Sequence, residues 1–92
     1  MSREEMQLEE QVRMGSEVMS FLQSPIGKFL TERAAEEVDV AVEDLKRANP
    51  EDAKEIRRLQ SIIDRNENFG RWLQELLHAA LEARAILANE EP

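Results

Sequence analysis

From Ile56 onward the chain repeats at alternating spacings of three and four: Ile56, Leu59, Ile63, Asn66, Gly70, Leu73, Leu77, Ala80, Arg84 and Leu87. This is the a/d periodicity of a helical seam. No proline falls between Pro50 and Pro92, so the pattern predicts one helix over 50–88, ~60 Å long at 1.5 Å per residue. Asn49 is suited to cap it and Pro50 to occupy its first position, where no amide donor is needed. Glu51 and Asp52 then set negative charge against the positive end of the helix dipole. Asn66 and Gly70 sit where leucine would stabilise more. They fix register and admit another backbone, or they break the helix near 66–70.

Two shorter patterns precede this one. Leu8, Val12, Gly15, Met19 and Leu22 form a stripe at helical spacing, which predicts a helix over 5–23 with frayed residues before it. Ser24-Pro25 supplies a cap and a proline at the first helical position. A second helix over 25–48 follows, with Ile26, Leu30, Ala34, Val38, Ala41, Leu45 and Ala48 on one face and Phe29 and Val42 beside them. Its outer face carries Glu32, Glu36, Glu37, Asp39, Glu43 and Asp44.

Ala48-Asn49-Pro50 leaves room only for a tight reversal, so the second and third helices are expected to form an antiparallel hairpin. Ile26 or Leu30 should then reach Phe69 to Leu73. The remainder of the third helix falls to the first, through Phe21, Val18 and Leu8. The third helix carries more apolar surface than this covers. Ile62, Phe69, Leu76 and Ala83 repeat every seven residues beside the seam, and Trp72, Ala79 and Ile86 do so on another side. A helix with several apolar stripes must be covered on several sides. The expected architecture is therefore all-α, a long antiparallel helical hairpin with an additional N-terminal helix, coiled-coil-like and oligomeric, forming one domain over 1–92. The expected protein interface is Phe69, Trp72, Leu73, Leu76, Leu77, Ala80, Ala83 and Ile86.

Composition sharpens this. Ninety-two residues without cysteine approach the size at which one core is marginal and neither disulfides nor thiolate metal sites can help. Twenty acidic residues against twelve basic leave a net charge of −8. That balance opposes binding to a nucleic-acid backbone, which requires a surplus of Lys and Arg. The acidic opening MSREEMQLEE lacks the basic start and apolar run of a signal peptide, and no apolar stretch is long enough to span a bilayer. An intracellular protein without membrane contact is expected.

Candidate chemistry is sparse. His78 is the only histidine, and no second histidine, cysteine or serine-base arrangement completes a catalytic or zinc set. Glu36 with Asp39, and Asp64 with Glu67, are spaced as magnesium-binding carboxylates on adjacent helices could be. Arg33 and Arg65 interrupt them, and they lie on the outer face. The reading is no enzyme: no catalytic residues, no metal, no cofactor.

FLQSPIGKFLTERA, ANPEDAKEIRRLQSIID and WLQELLHAALEARAIL, together covering residues 21–88, resemble small helical proteins of unstated function encoded by tailed bacteriophages, often among their virion and head-assembly genes. The resemblance supplies no catalytic or ligand residue. It implies a phage protein of the host cytoplasm or the virion. The expected function is non-enzymatic protein-protein interaction, structural or assembly-related, with another copy, another phage protein or a host protein as partner. The alternative is a small acidic inhibitor of a host defence or nucleic-acid enzyme, using Glu32, Glu36, Glu37, Asp39, Glu43 and Asp44 as a phosphate-like row. A weaker alternative is an oligomeric sponge for small nucleotides, with Arg57, Arg58 and Arg71 as its cations.

Overall fold

The computed structural model describes residues 2–90, which form α1 (Arg3–Gln23), α2 (Pro25–Arg47) and α3 (Ala53–Glu90). No strand occurs among the described residues, and the fold is all-α as expected. Met1, Glu91 and Pro92 lie outside the described residues. α3 is the spine: α2 packs antiparallel along its N-terminal half and α1 along its C-terminal half. The result is a slab with Cα extents of 63 × 28 × 16 Å.

The helix starts differ from the expected ones for local reasons. α1 begins at Arg3 rather than at residue 5, because the Ser2 hydroxyl accepts the amide of Glu5 at 3.1 Å and caps it. α3 begins at Ala53 rather than at residue 50. Asn49 opens a turn instead of capping the helix: its side-chain oxygen accepts the amide of Glu51 at 2.9 Å, and its carbonyl accepts that of Asp52, also at 2.9 Å. Pro50 and Glu51 fill the middle of that turn, where the fixed φ of proline is favourable. Asp52 is the cap, accepting the amide of Glu55 at 3.1 Å.

At the α1–α2 junction one residue closes one helix and opens the next. The Ser24 amide donates to the carbonyls of Ser20 and Phe21, its hydroxyl donates to Phe21 at 2.6 Å, and its oxygen accepts the amide of Gly27 at 3.0 Å. The fold is so tight here that a Cβ on Gly27 would stand 1.6 Å from the Phe21 carbonyl oxygen. Phe69 faces both helices: it meets Phe21 edge-on at a centroid distance of 6.4 Å and lines a groove with Thr31, Ala34 and Val38. The chain from 21 to 31 therefore makes little progress along α3. Phe21 takes the place against Phe69 expected of Ile26 or Leu30, and Ile26, Phe29 and Leu30 are left exposed.

α3 runs unbroken through 66–70. Asn66 donates to the Ile62 carbonyl at 2.8 Å and to Glu37 of α2 at 3.1 Å, which ties its turn to its own helix and to the neighbouring one. Gly70 admits no backbone within the chain, since nothing lies within 4 Å of where its Cβ would be. Gly15 does have that role: a Cβ there would lie 2.2 Å from that of Ala80, so α1 and α3 approach at this crossing only because the side chain is absent.

Candidate interaction surface

A slab whose thinnest Cα extent is 16 Å encloses little. The buried apolar residues among those described are Val18, Ala41, Leu59, Ala80 and Ala83, and the only large side chain fully enclosed is Leu59, 1% exposed. Three of the five are alanines, so the seam gains close approach rather than buried volume. Met6, Met19, Ile26, Phe29, Leu30, Val40, Trp72, Leu81 and Ile86 remain exposed.

The expected interface residues divide along this line. Ala80 and Ala83 are buried, and Phe69, Leu73, Leu76 and Leu77 are half-buried. Phe69 and Leu73 line a groove with Met14, Val18 and Phe21 of α1, while Leu77 and Ala80 line another with Gly15 and Met19. Trp72 is 62% exposed, and Ile86, also exposed, lines a groove with Leu8 and Gln11 of α1. The a/d seam thus serves mainly within the chain, and on the third heptad line Trp72 and Ile86 are exposed while Ala79 is half-buried.

The acidic residues of α2 do not form an unbroken negative row. Glu36, Glu37 and Asp44 line a groove with Arg33, Arg58 and Arg65 and with the apolar Val40, Ala41, Leu59 and Ile62. Glu37 is bonded to Asn66 and lies 3.6 Å from Arg33, and Glu43 pairs with Lys46 at 3.1 Å. Glu32 and Asp39 are exposed, and Asp39 lines the groove on the other side of the hairpin. Of the proposed nucleotide-binding cations, Arg58 is held by Glu55 at 2.7 Å and Arg71 by Asn68 at 3.0 Å, while Arg57 is exposed.

His78 is exposed and pairs with Glu82 one turn on, Nε2 to Oε1 at 3.0 Å. No group of three or more His, Cys, Asp or Glu side chains that could hold a metal ion occurs among the described residues. Titration is perturbed at two exposed pairs. Hydrogen bonds from Arg13 to Glu10 and from Arg58 to Glu55 hold both carboxyls below the usual range and raise the two guanidiniums. No described helix is long and apolar enough to cross a membrane.

Sequence periodicity alone did not single out Val40 or Leu81, 61% and 65% exposed. Both lie off the seam registers; Val40 lines the groove with Ala41, Leu59 and Ile62, and Leu81 lines another with Met19, Leu77 and Ala80. Comparison with protein families, curated proteins and solved structures finds no match to this chain.

Proposed function

We propose that the chain is a non-enzymatic interaction protein that assembles through apolar helix surface left uncovered in the single chain, first with another copy of itself. One observation carries the reading. The chain exposes 7266 Å², whereas a compact monomer of 10.6 kDa exposes about 5,500 Å². The difference of about 1,800 Å² exceeds the ~800 Å² that each partner contributes to a standard interface. It includes Trp72, the residue type most often found at the energetic centre of such interfaces. The biological setting follows the sequence resemblance: assembly of a tailed phage, with the protein in the host cytoplasm or in the particle.

Two variants test this. Trp72→Glu places a charge in the exposed apolar strip without touching the buried seam; it should halve the solution mass and fail to complement loss of the gene during infection. Glu32→Lys with Asp39→Lys alters acidic positions away from the strip and should leave mass and complementation unchanged. The reverse pattern, with function lost on acidic reversal and retained with Trp72→Glu, would favour the acidic-inhibitor reading instead.

A further inference from the structure

From the self-association reading above, we infer that the α2–α3 face bearing Val40 and Arg65 is the surface on which a second copy docks, related to the first by a twofold axis. Three features of that face lead to a copy of the same chain rather than to a partner of another kind.

The first is charge. In a chain of net charge −8, the groove on this face sets three cations, Arg33, Arg58 and Arg65, against three anions, Glu36, Glu37 and Asp44. It is locally neutral, and the negative excess lies elsewhere. A twofold interface brings a patch against itself, so the patch must carry both signs for its charges to pair. A nucleic acid or a strongly basic partner would instead select one sign.

The second is continuity. Arg58 and Arg65 lie seven residues apart on the groove side of α3, and the same line continues through Trp72, Ala79 and Ile86. Positions at this spacing share a helix face. The groove and the exposed Trp72, one heptad beyond Arg65, thus adjoin along α3, with charge of both signs on one side and an apolar anchor on the other. Val40, which lines the groove beside the buried Ala41 and Leu59, is 61% exposed. A second layer would enclose it.

The third is shape. The slab measures 28 Å across and 16 Å deep between Cα atoms, and helix layers stack ~10 Å apart. One further layer of the same kind makes the section roughly 26 by 28 Å, so a second copy turns a flat section into a near-square one.

The test uses two full-length variants, one with Arg33→Glu and Arg65→Glu, the other with Glu36→Lys and Asp44→Lys. All four side chains are exposed, and far-UV circular dichroism verifies that the helices persist. Light scattering behind a sizing column should show each variant alone at half the wild-type mass and an equimolar mixture back at the full mass with both chains present. Val40→Glu, a single exposed change in the same groove, should also halve the mass. Wild-type mass in all three variants would overturn the choice of face, and two monomeric charge variants that stay apart on mixing would overturn the self-complementary pairing. A wild-type chain that is itself monomeric under the same conditions would instead defeat the self-association reading on which this inference rests.

Discussion

Gly27 and Gly70 have different roles, and each role makes a different substitution informative. Gly27 lies where the first turn of α2 presses on the last carbonyls of α1, and a Cβ would overlap the backbone oxygen of Phe21. Backbone cannot move aside as a flexible side chain can, so Gly27→Ala should destabilise the fold by about 3 kcal/mol, read as a lower urea midpoint at unchanged slope. Gly70 is the opposite case. With nothing near its Cβ position, Gly70→Ala should stabilise by about 1 kcal/mol through helix propensity alone. A loss of stability there would show that another chain's backbone occupies the space. In sequence the two residues look alike, a glycine within an apolar helical pattern. What separates them is tertiary proximity, which periodicity does not encode. Ser24 was more legible, because a serine before a proline announces a cap. That its hydroxyl also bonds the preceding helix requires the sharp junction to be known.

At the scale of elements, the apolar periodicity places all three helices and the hairpin between α2 and α3. It misplaces the start of α3, because Asn49-Pro50 and Asp52 are both plausible openings and only the turn geometry decides between them. It also left the continuity of α3 open, because Asn and Gly weaken helices. Local preference is outweighed here by the Asn66 bond to Glu37 and by Phe69 against Phe21. The ion pairs Arg13–Glu10 and Arg58–Glu55 support α1 and the first turns of α3. Both carboxyls are held below their usual range, so their contribution is present above the unfolded-state pKa and is lost as pH falls through the lower folded-state value. Being exposed, each pair contributes little. NMR titration should find Glu55 ionised to lower pH than in the Arg58→Gln variant. Coincident titrations would show that the pair does not form in solution.

For the whole molecule, elongation is the central fact. A radius of gyration of 18.7 Å compares with about 12 Å for a compact chain of this length, and among the described residues a single large side chain is fully enclosed. The sequence shows apolar stripes on more than one side of the last helix, but it does not say which stripe the chain covers itself. Of the eight expected interface residues, Ala80 and Ala83 are buried within the chain and Phe69, Leu73, Leu76 and Leu77 are half-buried, because α1 occupies much of the a/d seam; Trp72 and Ile86 are left exposed. Small seam residues such as Gly15, Ala80 and Ala83 bring helices close and bury little. The proposed assembly of copies would restore the missing enclosure. The most direct test is the solution mass of the wild-type chain by light scattering across a concentration series, at low and at high salt. The account predicts twice the chain mass of 10.6 kDa or a larger multiple, persisting at high salt because apolar burial rather than ion pairing provides the main stabilisation. A mass of one chain throughout the series would contradict it.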